Sequence, residues 1–270
     1  VDSELPFPDR DRISSLTALV LVTYTLIRIV SLPTVETEFN VLGILIRLEF
    51  NTNSIMLSLA AALASAGSDW LLRAHPKIEV RRPLPEHWVI PGLAAVGVGA
   101  ILTRIPQGMI LWVGLLLTAA VLIAVLFAEF IVLDQEDPRY DRAALALTAL
   151  AYMLLIGAFF AIEATALRAI YSVPLVLLAS AAVSWRLLCL TGMESGVNAY
   201  TIGISGLTAQ IAWGLHYWPI QPLRSALLLG LIVYLGNGIA MAHPTGELDR
   251  TRLLELGGVA LIALLAIFLA

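Results

Sequence analysis

Residues 108–133 read GMILWVGLLLTAAVLIAVLFAEFIVL, and the only charge among them is Glu129. A helix of that length, at about 1.5 Å per residue, is longer than the roughly 30 Å hydrocarbon core of a bilayer. It is apolar on every side, so lipid suits it better than the half-wetted surface of a soluble domain. Pro106 and Gln107 close it on one side, and Asp134-Gln135-Glu136-Asp137-Pro138-Arg139 closes it on the other. Outward in both directions the same pattern of long apolar run and short polar or proline boundary recurs, at 13–32, 54–72, 87–104, 142–163, 167–190, 196–217, 224–242 and 253–270. The fold class expected is all-α, a polytopic transmembrane helical bundle of about nine spans, or eight if the short last run does not cross. Residues 1–270 then make a single integral membrane domain, because the connections leave no room for a separate soluble one.

Composition points the same way. Mean hydropathy is +0.89 and charged residues make up 13%, against about 25% in soluble domains. The formal charge of −4 gives nucleic acid nothing to bind, and no cofactor is called for. Membrane lipids are the expected partners, with other membrane subunits or pigment as further ones. Cys189 is the single cysteine and lies in an apolar run, which excludes a disulfide framework within the chain and reads as a small buried residue. Asp9, Arg10, Asp11 and Arg12 precede the first run without the basic flank and cleavage site of a signal peptide, so that run is expected to stay as a span. Val41 to Phe50 is apolar but interrupted by Arg47 and Glu49, which suggests a segment lying in the interface.

Basic residues set the orientation. Arg10, Arg12, Arg73, Lys77, Arg81, Arg82, Arg139, Arg142, Arg250 and Arg252 fall on one face; Arg28, Arg47, Arg104, Arg168 and Arg224 fall at or near the other. The expected location is a bacterial inner membrane with the amino terminus cytoplasmic. Trp70, Trp88 and Trp185 then sit near the inner boundary and Trp112, Trp213 and Trp218 near the outer one, the depth an indole prefers. Pro174 should kink the sixth span, whereas Pro91 in the first turn of the third is tolerated.

Charges inside a membrane cost roughly 2.5–3.5 kcal/mol each on insertion scales. Glu129 and Arg186 lie at comparable depths in spans four and six, with Asn198 and Asn237 near that level in spans seven and eight. The expected arrangement is a Glu129–Arg186 ion pair hydrogen-bonded to one or both asparagines, serving either as a structural clamp or as a substrate or proton site. At 100° per residue, Asn198, Thr201, Ser205, Thr208 and His216 fall within an arc of about 80° on span seven. Such a stripe either bonds to a neighbouring helix or lines a wet cavity. Glu163 and Arg168, flanking the turn between spans five and six, are close enough in sequence to pair.

Asp134-Gln135-Glu136-Asp137-Pro138-Arg139-Tyr140-Asp141 has the spacing DxxDxxxD and resembles the first aspartate motif of UbiA-type intramembrane prenyltransferases. That family answers the motif with a second aspartate cluster after span six, where this chain offers only Glu194. Bridging metals need carboxylates from both sides. The simpler reading is a solvated loop whose Asp141 caps span five. Lys77, the only lysine, lies in a loop, so a retinal Schiff base within a span is excluded. His75, His87, His216 and His243 show no HExxH or i, i+4 spacing.

Gly67-Ser68-Asp69-Trp70-Leu71-Leu72-Arg73-Ala74-His75-Pro76 and His216-Tyr217-Trp218-Pro219-Ile220-Gln221-Pro222-Leu223-Arg224 resemble an uncharacterised family of bacterial multi-pass membrane proteins, a domain of unknown function. The resemblance implies no activity and carries no catalytic residue across. Within these segments Asp69 and Arg73 form an i, i+4 pair, and Pro219 and Pro222 a rigid turn. Short loops and the lack of paired catalytic groups favour a non-catalytic binding or accessory scaffold subunit of a membrane assembly. The alternatives are a small-solute or proton-coupled transporter and an intramembrane prenyl-type transferase.

Overall fold

The computed structural model describes residues 7–41, 44–77, 84–165, 167–193, 195–243 and 249–269, with the backbone alone over 41–48. Arg81, Arg82 and Glu194 lie outside the described residues. The elements run α1 (Arg10–Ile29), β1 (Val35–Val41), β2 (Ile44–Phe50), α2 (Thr52–Leu72), a 3-10 turn (Pro85–Trp88), α3 (Val89–Arg104), α4 (Met109–Ile131), α5 (Tyr140–Ala164), α6 (Ala169–Leu190), α7 (Val197–His216), α8 (Pro222–Ala242) and α9 (Arg250–Leu269). Each predicted span is helical, with ends within about three residues of the expected ones.

Eight of these helices are long and apolar enough to cross a membrane, so the fold is an all-α polytopic bundle. The exception among the described helices is α7, not the short α9. Its asparagine, glutamine, histidine and hydroxyl residues, together with its glycines, lower its apolarity.

Helix ends follow the local sequence. Asp9 caps α1 by accepting from the backbone N–H of Asp11 at 2.9 Å. Asn51 and Ser54 form a reciprocal capping box on α2, and Pro222 opens α8, where its missing N–H costs nothing. Pro174 lies inside α6. Asp141 falls in the first turn of α5 rather than at its cap. It is Asp137 that accepts the Arg139 backbone N–H, at 2.8 Å.

The apolar stretch read as an interfacial segment is β2, half of an antiparallel hairpin whose register sets Glu36 opposite Glu49 and Glu38 opposite Arg47. The alternation Val35, Thr37, Phe39, Val41 has period two, which builds a strand.

Contacts divide the chain into two compact units, residues 1–143 and 144–270. In the first, α1 packs on α2, α3 and α4. One cluster joins Ile13, Leu16, Leu71, Leu72, Leu126 and Phe130; another joins Val20, Tyr24, Ala60, Ala64, Ala95 and Leu122. Small residues set the approach. A Cβ on Gly67 would overlap Leu16 Cδ1, and one on Gly99 would lie 2.6 Å from Tyr24 Cε1. Tyr24 uses that space to donate from its hydroxyl to the Ala95 carbonyl at 2.6 Å. In the second unit α7 packs on α6 and α8, and α9 on α8. Lipid is as apolar as leucine, so these contacts stabilise through close packing more than through removal of surface from water.

Candidate functional site

Glu129 is fully buried on α4 near its end at Ile131. Its Oε2 lies 2.6 Å from His87 Nδ1, and the imidazole is buried as well. A single proton between the two atoms makes the contact favourable, and with Glu129 ionised the imidazole donates it. His87 is aimed by its backbone. Pro85 opens the 3-10 turn, the His87 N–H bonds to the Leu84 carbonyl, and two serines one turn apart on α2 pin the next carbonyls. Ser68 Oγ donates to the His87 carbonyl at 3.1 Å and Ser65 Oγ to that of Trp88 at 3.0 Å. Three elements thus hold one buried acid–base pair. His87 was absent from the expected polar layer.

The acidic loop after α4 is not simply solvated. Lys77 Nζ lies 2.7 Å from Asp134 and 2.8 Å from Glu136, and Asp137, which is buried, pairs with Arg139 at 2.7 Å. Arg139 in turn stacks over Phe7, 5.1 Å from the ring centre. The hydrogen bond from Lys77 holds the Asp134 carboxyl below its ordinary range, and that from Arg139 does the same for Asp137. His75 packs edge-on against Phe130 at 4.7 Å, and burial pushes its pKa down. Of the three carboxylates with metal-motif spacing, Asp134 and Asp137 are therefore occupied by cations of the chain itself. Among the described residues no group of three or more His, Cys, Asp or Glu is placed to hold a metal ion.

The other expected polar residues belong to the second unit. Arg186 is buried on α6. Asn237, fully buried on α8, donates from Nδ2 to the Tyr152 hydroxyl at 3.1 Å. Thr201, Ser205 and Thr208 are buried on α7, whereas Asn198 is exposed in its first turn. Among the described residues, Ser205 and Thr208 make no hydrogen bond to another helix. Thr208 Oγ1 donates to the Ile204 carbonyl at 2.7 Å and Ser205 Oγ to that of Ile202 at 3.3 Å, both within α7. A helix offers these hydroxyls a nearby carbonyl in its preceding turn, which competes with any partner farther off. Thr201 Oγ1 is buried, with no hydrogen-bond partner among the described residues.

Glu163 and Arg168 do not pair. Arg168 is exposed at the start of α6, and Glu163, half-buried, has His216 and Ser225 beside it. Asp69 and Arg73 do pair, at 2.6 Å.

An all-α polytopic bundle with its buried acids paired to bases defines a class, multi-pass membrane proteins, without defining a chemistry. Residues 32–270 match the model of a family described as "Protein of unknown function (DUF5656)", and the chain belongs to that family. No curated protein and no solved structure matches the chain.

Proposed function

We propose that the protein is a non-catalytic component of a bacterial inner membrane, one membrane domain over residues 1–270, with its amino terminus in the cytoplasm. It works by binding, as an accessory or scaffold subunit that holds lipid, pigment or a partner subunit. The observation that supports this is the state of its buried acids: Glu129 and Asp137 are each engaged by a basic side chain of the same unit, His87 and Arg139. A carboxylate so held is a fastening before it is a reagent, because taking part in chemistry would mean giving up its partner in a low-dielectric site.

Gentle extraction from the source membrane followed by mass spectrometry tests the reading. A component retained in fixed stoichiometry, whose removal lowers the thermal midpoint, is expected. A protein that comes out alone and carries protons across reconstituted vesicles would overturn it in favour of the second reading, a proton-coupled transporter. One observation favours that rival: His87 and Glu129 form a buried acid–base pair.

A further inference from the structure

At one end of the first unit, where α1 and α3 stop and α4 begins, a cavity of about 230 Å³ opens among Tyr24, Arg28, Gly99, Gln107, Trp112 and Leu115. A void of roughly 150 Å³ already holds a benzene ring, so this one has room for a length of hydrocarbon. Leu115, Tyr24 and Gly99 each lie more than one turn from the nearby ends of their helices. The cavity therefore runs from the helix ends toward the apolar middle.

Arg28 stands at the helix-end side. Its Nη2 donates to the carbonyls of Leu102 and Ile105, at 2.6 Å each, closing the end of α3 where the helix dipole is negative. A guanidinium has five N–H groups, so Nε and Nη1 keep three more. Among the described residues no carboxylate lies within ion-pair distance of Arg28, and the dipole offsets only about half a charge. Depth fits the charge. Three helix ends at one level place Arg28 where bilayer headgroups lie, and Trp112, 68% exposed on the same rim, is the residue type of that depth.

We propose that this cavity binds a phospholipid with an anionic headgroup, its phosphate on the remaining N–H groups of Arg28 and part of one acyl chain along Tyr24, Gly99 and Leu115. The inference rests on the reading that the protein acts by binding in a membrane, and it names one ligand for that role. A guanidinium meets phosphate oxygens through charge-assisted, fork-shaped hydrogen bonds that a zwitterionic headgroup, with its own cation, competes for less well.

The test is native mass spectrometry of the full chain in detergent, titrated with phosphatidylglycerol, with phosphatidylcholine and with inorganic phosphate. Wild type should retain phosphatidylglycerol about tenfold better than phosphatidylcholine. R28Q should lose that preference, R28K should keep part of it, and excess inorganic phosphate should not displace the lipid. Leu115→Trp, which fills the cavity and leaves Arg28 in place, should weaken retention of both lipids. Equal retention of the two lipids, or an R28Q that binds as wild type does, would reduce Arg28 to a cap for α3. Displacement by inorganic phosphate would sink the acyl-chain half of the proposal. Should R28Q not fold, the Leu115→Trp variant decides: undiminished phosphatidylglycerol retention overturns the site. None of these failures touches the stoichiometric partner sought by gentle extraction, so the two readings fall separately.

Discussion

A lone carboxylate at the depth of Glu129 would be costly enough to neutralise itself or distort its surroundings, and His87 is what holds it. Truncating either residue should destabilise the protein by about 3–5 kcal/mol, and His87→Ala with Glu129→Ala should cost less than the sum of the singles. Denaturation of the four proteins of this cycle in one detergent measures it; strict additivity would mean the pair contributes no coupling. The sequence-based expectation of a Glu129–Arg186 pair is measured in the same way. Glu129→Ala alone should lose more stability than Glu129→Ala with Arg186→Met. At the loop after α4 the signs of the pKa shifts set a pH dependence. His75 is lowered in the folded chain, so its contribution is complete above the ordinary histidine value of 6.5 and declines as pH falls below it. Asp134 and Asp137 are lowered from 3.8, so theirs persists to about that pH and is lost below it as the folded carboxyls take up protons. The thermal midpoint should fall in two stages on acidification, and His75→Gln should remove the upper one; a midpoint flat from pH 7 to 5 in wild type would contradict the assignment. Glu129 was legible in the sequence because one charge in a long apolar run stands out. Its contact with His87 was not, since His87 lies 42 residues away at a helix edge, where a histidine has many uses.

Helix α7 shows what period alone can and cannot say. The 100° rule places Thr201, Ser205 and Thr208 on one face, and the structure buries all three. The destination of their hydroxyls was not legible, because the nearest acceptors belong to α7's own backbone rather than to another helix. Thr208→Val should then cost about 0.5–1.5 kcal/mol for one lost hydrogen bond, while Thr201→Val should be neutral or stabilising, since Thr201 Oγ1 has no partner to lose. If Thr201→Val destabilises more than Thr208→Val, water reaches that side chain and the face lines a wet cavity. The hairpin was missed for a related reason. Arg47 and Glu49 look like interruptions of an apolar run, yet with Ile46, Leu48 and Phe50 they alternate at the period of a strand, as Val35, Thr37, Phe39 and Val41 do in β1.

On the scale of the whole molecule, helix positions followed from runs of apolar residues because a bilayer leaves a backbone almost no other way to satisfy its polar groups. The proposed orientation rests on the ten-to-five split of basic residues. A cysteine at Ala74, in the turn after α2, should resist an impermeant thiol reagent in intact cells and react once the membrane is opened; labelling in intact cells would invert the topology. Function was far less legible, since binding surfaces in lipid are as apolar as lipid-facing ones and carry no compositional mark. On the proposed reading, the polar groups inside this bundle fasten it and leave the work to binding. A density map of the protein taken gently from its source membrane is the decisive measurement. A dry interior around Thr201, Ser205 and the His87–Glu129 pair is expected, with lipid or a second subunit ordered on the helix faces. A water-filled path reaching those residues from either side of the membrane would contradict it.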